Sequence, residues 1–143
     1  MSNNFFKALQ LAIIQHDGQR DRSDRPYILH PVTVASYLDN ETDQIVGLLH
    51  DTVEDTDLSV DIIRQEFGDE IADAVDILTH DKNVPYEDYI EKITTNPIAV
   101  RVKLADLKHN MQLDRIENPT AKDYERLEKY RKAKARLEDG GSL

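Results

Sequence analysis

The segment Gly47–Asp57, GLLHDTVEDTD, ends an apolar helical run in a dense group of carboxylates beside one histidine. His50 adjoins Asp51, and Glu54, Asp55 and Asp57 follow within two turns. On a helix Asp51 shares a face with Glu54 and Asp55, three and four residues further on. His50 lies about 100° around the axis from Asp51, so both can reach one ion placed between them. Carboxylates this close raise one another's pKa until something neutralises them, and a divalent cation does so directly. Two further side chains complete a ligand set that leaves room for water. One is His30, in YILHPVTVA just before Pro31; the other is Asp106, inside the apolar run VRVKLADLKHN. A lone carboxylate in such a stripe is costly unless it is paired or binds a metal. Its helical neighbours on the same face are Lys103 and Asn110.

Taken singly, each feature has an ordinary structural reading. The acids suit a solvated loop or a helix cap, His30 suits packing or capping, and Asp106 suits an ion pair with Lys103. Two histidines and two carboxylates together fit Mn²⁺ or Fe²⁺ better than Zn²⁺.

The elements that must position these groups are helical. Apolar residues recur at helical spacing in Phe5, Leu9, Ala12 and Ile13, and again in Val32, Val34, Ala35 and Leu38. Ile62, Ile63 and Phe67 follow, then Ile71, Val75 and Leu78, then Tyr89, Ile90 and Ile93. Ile98, Val102 and Ala105 make the stripe that carries Asp106, and Tyr124, Leu127, Tyr130, Ala133 and Leu137 make the last. Gly18 closes the first helix, Thr42 opens the third, Ser59 caps the next, and Gly68 separates two helices. Asn96 caps a helix that begins at Pro97. Residues 81–85 and 117–120 read as loops, and no run alternates as a strand would. The expectation is an all-α chain: one helical-bundle domain over residues 1–138, of about seven or eight helices, with a flexible tail at 139–143.

The charge bounds the partners. The chain of 143 residues has 28 acidic and 18 basic side chains, a formal net charge of −10. Such a surface repels nucleic acid. It admits a phosphorylated small molecule only where a metal and local cations reverse the field. There is no cysteine for a disulfide or thiolate site. The first twenty residues carry neither a signal-peptide pattern nor a membrane-spanning run. A cytoplasmic protein with neither nucleic-acid nor membrane partners is expected; the oligomeric state is left open.

The order His30, His50-Asp51, Asp106 resembles the metal-binding signature of HD-domain phosphohydrolases. The words around it resemble the RelA/SpoT-type alarmone hydrolases, especially the small single-domain ones. They are Gly18-Gln19, PYILHP at Pro26–Pro31, LLHDTVEDT at Leu48–Thr56, FGDEI at Phe67–Ile71 and VKLADLKHN at Val102–Asn110. The resemblance implies that His30, His50, Asp51 and Asp106 hold one Mn²⁺, with Fe²⁺ as the other candidate. It implies that Glu54 transfers a proton to or from water, that Asp55 assists, and that Asn110 contacts substrate. The implied reaction removes pyrophosphate from the 3′ position of (p)ppGpp.

Arg20, Arg22, Lys82 and Lys103 are the cations available for such a ligand, and Arg126 and Tyr130 fall where small family members place an arginine and a tyrosine near substrate. Two departures concern recognition. Asp21 stands where the family's base-stacking arginine is expected, in Gln19-Arg20-Asp21-Arg22, and Met111-Gln112-Leu113 replaces an Arg and Thr pattern. These keep alive the same chemistry on NADPH or on a nucleoside mono- or triphosphate. A non-catalytic nucleotide-binding module is the rival from another class. His16 reads as a histidine at a helix C-terminus, and His80 and His109 as surface residues.

Overall fold

The computed structural model describes residues 3–112 and 117–141. The helices run in the order α1 (Asn3–Gln15), α2 (Leu29–Ser36), α3 (Glu41–Leu49), α4 (Thr52–Asp55), α5 (Val60–Phe67), α6 (Asp69–Leu78), α7 (Tyr86–Ile93), α8 (Pro97–Asn110) and α9 (Ala121–Gly141). Since α4 is a single turn, the expectation of a helical bundle of about seven or eight helices holds. Among the described residues the only β pairing is an isolated bridge between Arg20 and Pro26. No described helix is long and apolar enough to cross a membrane.

Two helices organise the bundle. Helix α3 packs on α1, α2, α6 and α8, and α8 in turn packs on α2, α6, α7 and α9. Their apolar faces supply Val46, Leu48 and Leu49 from α3, with Val102 and Leu107 from α8, all buried beside Val34, Ile63, Val75, Ile93 and Leu137. An ion pair with a buried carboxylate locks the same two helices: the half-exposed Arg101 of α8 donates to Asp43 of α3 through Nε at 2.5 Å and Nη2 at 3.1 Å. That bidentate geometry fixes their relative rotation as well as their distance.

Most helix ends follow local chemistry. The Ser59 side chain accepts from the Ile62 amide, and Asn96 accepts from the Ala99 amide ahead of Pro97. Gly68 has φ +94° and ψ 173°, a region open in practice only to glycine, so α5 and α6 meet there at a sharp corner. Helix α3 departs from expectation at both ends. Asn40, rather than Thr42, is its N-cap and accepts from the Asp43 amide. The helix also stops at Leu49 instead of running through Asp51. The Thr52 hydroxyl donates to the Leu49 carbonyl at 2.7 Å, and His50 Nδ1 donates to the Gly47 carbonyl at 2.5 Å. Side-chain donors thus take carbonyls that the next backbone amides would have used, and the helix ends.

Gly47 lets α2 and α3 approach. A Cβ built there would stand 3.0 Å from Leu38 Cδ1 and 3.4 Å from Val34 Cγ1. The Gly47→Val variant should lose about 1–3 kcal/mol of unfolding free energy through overpacking. Urea denaturation followed by circular dichroism measures this; a variant as stable as the parent would show that α2 can move away freely.

Candidate metal centre

Three helices and the break after α3 deliver the four expected ligands to one point. His30 lies in the first turn of α2, His50 at the C-terminus of α3, Asp51 just beyond it, and Asp106 midway along α8. His30, His50 and Asp106 are buried, and Asp51 is half-buried. One donor atom from each lies within 4.8 Å of all the others. His30 Nε2 stands 2.8 Å from Asp106 Oδ1 and 3.7 Å from Asp51 Oδ2. His50 Nε2 stands 3.3 Å and 3.1 Å from the same two oxygens. Donors at right angles around a small divalent ion, each about 2.1 Å from it, lie roughly 3 Å apart. The set fits such an ion in both spacing and chemistry.

The far sides of the ligands are already engaged. The Nδ1 atoms of both histidines turn away from the carboxylates: His50 Nδ1 to the Gly47 carbonyl, and His30 Nδ1 to His109 Nδ1 at 2.7 Å. That arrangement places each Nε2 toward the shared point. The Tyr27 hydroxyl donates a short hydrogen bond to Asp51 Oδ2. Asp106 Oδ1 accepts from Asn110 Nδ2 at 3.0 Å, and Asp106 Oδ2 pairs with Lys103 Nζ at 3.0 Å.

The local field follows from these contacts. Burial pulls the His50 pKa down, but Asp51 and Asp106 override it and raise it well above the ordinary histidine value. Burial likewise opposes ionisation of Asp106, yet Lys103 and the two histidines hold it well below the usual carboxylate range. Asp51 is lowered to about 2 because His50 outweighs burial. Burial, with Asp51 and Glu54, raises Asp55 to about 6. A proton on His50 and a divalent ion therefore compete for the same two carboxylates.

A cleft of about 310 Å³ opens beside His30. It gathers five residues singled out from the sequence: Arg20, Arg22, Asn110, Arg126 and Tyr130. The other two cations lie elsewhere. Lys82 is exposed on the connection between α6 and α7 and does not line the cleft. Lys103 is largely buried, bound to Asp106, with Nζ 5.2 Å from the Tyr89 ring centre. Glu54 and Asp55 sit on the exposed turn α4, where Glu54 accepts from the His80 amide at 2.8 Å. Asp21 Oδ1 accepts from the Ser23 and Arg25 amides, which closes its own loop. Of Met111-Gln112-Leu113, Leu113 lies outside the described residues.

Some participants were not legible beforehand. His109 is buried, not at the surface, and stacks on His30 with ring centres 5.0 Å apart. His80 is half-buried and stacks on Tyr89 at 4.5 Å. His16 is buried against Tyr27, and its Nδ1 meets Gln19 Oε1 at 2.8 Å. Asp123, also buried, lines the cleft. Only Asp123 had a local sign, the Thr120-x-x-Asp123 spacing of a capping box.

An all-α bundle that closes two histidines and two aspartates around one point has the architecture of an HD domain, and the model of that family matches residues 8–135. The chain belongs to the HD domain family. It is 37% identical over 138 residues to the mouse guanosine-3′,5′-bis(diphosphate) 3′-pyrophosphohydrolase MESH1, an alignment that covers 87% of this chain and 76% of that protein. It is 34% identical over 140 residues to a GTP pyrophosphokinase of Streptomyces coelicolor, where it covers 87% of this chain but spans only 16% of that longer protein. A solved structure of a metazoan ortholog of SpoT that hydrolyzes ppGpp superposes with a TM-score of 0.79 at 28% identity, over 98% of this chain and 86% of that one.

Two outcomes test the centre. Asp106→Ala should reduce bound divalent metal from about one ion per chain to a trace, read by elemental analysis after dialysis; retention of the ion would remove Asp106 from the ligand set. Because ion and proton compete at His50, affinity for Mn²⁺ should fall as the pH drops. The expected slope is about tenfold per pH unit for one displaced proton, measured by titration calorimetry across roughly pH 6 to 8. A flat profile would mean that no histidine proton is exchanged.

Proposed function

We propose that the protein is a divalent-metal-dependent phosphohydrolase that removes pyrophosphate from the 3′ position of (p)ppGpp, with Mn²⁺ as its ion and GDP or GTP as the nucleotide product. The observation that carries the reading is one juxtaposition: a cleft lined by three arginines opens at His30, a member of the four-donor cluster. The matches to MESH1 and to the ppGpp-hydrolysing structure favour the 3′-pyrophosphate as the substrate. A cytoplasmic setting suits a nucleotide substrate.

In this reading His30, His50, Asp51 and Asp106 hold the ion, which when bound polarises a phosphoryl oxygen and acidifies water in its coordination sphere. The chain's other residues divide the remaining work. Glu54 takes a proton from the attacking water, and Asp55, beside it on α4, holds the water's orientation. The water oxygen joins the phosphorus next to O3′, the O3′–P bond breaks, and O3′ gains a proton as pyrophosphate departs. Arg22 and Arg126 face the substrate's phosphates, with Asn110 and Tyr130 along the same wall. Arg20 lines the cleft mouth while its Nη1 donates to the Asp24 carbonyl at 3.0 Å. Lys82 and Lys103, outside the cleft, have at most a longer-range electrostatic part.

One observation favours a second reading, the same chemistry on another phosphorylated nucleotide. Asp21 stands at the position of the expected base-stacking arginine and serves its own loop instead.

With Mn²⁺ added, wild-type protein should release GDP and pyrophosphate from ppGpp, while His50→Ala should not. Glu54→Ala should keep its metal and lose about 10²–10⁴ in kcat, the usual worth of a positioned acid–base group. Chromatography of the products decides it. A metal-loaded wild-type protein inert toward ppGpp but active on another nucleotide of a panel would establish the second reading. Full activity in Glu54→Ala would remove the proton-transfer role.

A further inference from the structure

Asp123 is a carboxylate with almost no solvent exposure in a cleft that should welcome anions. Its side chain is 1% exposed, and its two oxygens do separate things. Oδ2 accepts from the Thr120 amide at 2.7 Å and from the Thr120 hydroxyl at 3.1 Å, closing the start of α9. Oδ1 faces two guanidinium groups: Arg22 Nη2 at 2.7 Å and Arg126 Nη1 at 3.5 Å.

These arginines come from different parts of the chain. Arg22 sits in the loop between α1 and α2, and Arg126 lies one turn along α9. Their side chains remain 48% and 39% exposed, so each touches Asp123 with one edge and offers the rest to the cleft. Two cations brought to one place repel each other, and a carboxylate oxygen between them removes that cost. The same contact ties the Arg22 end of the loop to α9, while Gln19 and Tyr27 tie other parts of it to Asp55 and Asp51. The Thr120 amide, then the arginines, keep the Asp123 carboxyl below its ordinary pKa, so it is ionised near neutral pH.

We infer that Asp123 is a positioning residue for substrate phosphate: it joins Arg22 and Arg126 into a single two-guanidinium unit across the cleft. This rests on the phosphohydrolase reading of the site and adds the residue that holds its arginines in register. A plain charge effect predicts the opposite sign. A carboxylate beside an anion's site repels that anion, so neutralising it should tighten binding. Losing the joint between the arginines should weaken it, because each must then be ordered separately when the ligand arrives.

The test compares Asp123→Asn with wild type in the Mn²⁺-loaded protein. Asparagine can still accept from the Thr120 amide, but it turns no negative oxygen to the arginines. The expected result is a rise in KM for ppGpp of about tenfold or more, with kcat within about threefold and metal content unchanged. Thr120→Val, which removes only the hydroxyl of the cap, should lower Tm by a few degrees and leave KM within about twofold. An Asp123→Asn variant with unchanged or lower KM overturns the proposal, as does one that changes only Tm. If wild type does not turn over ppGpp, the substrate reading fails and the same comparison is made by calorimetry with GDP and ADP. Weakening by about tenfold then upholds the positioning role. Equal or tighter binding by the variant, or no binding of either diphosphate by wild type, overturns it.

Discussion

Everything near the site leans on the carboxylate of Asp106. It is buried in the middle of α8, where an unpaired charge would be very costly, and both its oxygens are engaged. Oδ1 meets His30, His50 and Asn110, and Oδ2 meets Lys103. Each partner comes from a different place: the start of α2, the end of α3, the next turn of α8 and the previous one. The group therefore sets the spacing of three helices at one point. Lys103 shares the constraint. Burial disfavours its charge, yet the neighbouring Asp106 carboxylate, above all, raises its pKa well above the ordinary lysine value. A cation bound by Asp106, His30, His50 and Asp51 thus sits in a field shaped in advance by a second, covalently tethered cation.

The outer contacts orient the candidate ligands. His30 stacks on His109, His50 is tied to the Gly47 carbonyl, and Tyr27 holds Asp51. Ligand rings and carboxylates held on their far sides lose little freedom on binding an ion, which sharpens affinity and geometry together. Gly47 has two parts in this. Its missing Cβ lets α2 and α3 close, and its carbonyl orients His50 on the same short segment. The Arg101–Asp43 pair fixes α8 against α3 at the other end of the interface, so Asp106 and His50 arrive in register.

The cleft resolves how a chain with a formal net charge of −10 can face a phosphorylated ligand. Three arginines converge beside His30, one of the four residues that could hold a metal ion. One acid stands among them, since Asp123 Oδ1 lies 2.7 Å from Arg22 Nη2 and 3.5 Å from Arg126 Nη1. Local field, not net charge, governs encounter at this distance.

Much of the fold was legible because its signals are local. Ser59, Gly68, Asn96 and Pro97 mark helix ends through bonds three or four residues long, and apolar periodicity reports which face is buried. The ligand types at His30, His50, Asp51 and Asp106 were readable too, since their chemistry is unusual where they stand. The sequence by itself determined the helices and the donor set. Tertiary structure decided which faces meet: His30 reaches Asp106 across 76 residues, a pairing no periodicity encodes. It also decided that α3 breaks before Asp51, because side chains there compete for helix carbonyls, and that His109 is buried, because α8 turns it onto His30. Spacing along the chain says where a side chain points; only packing says what it meets.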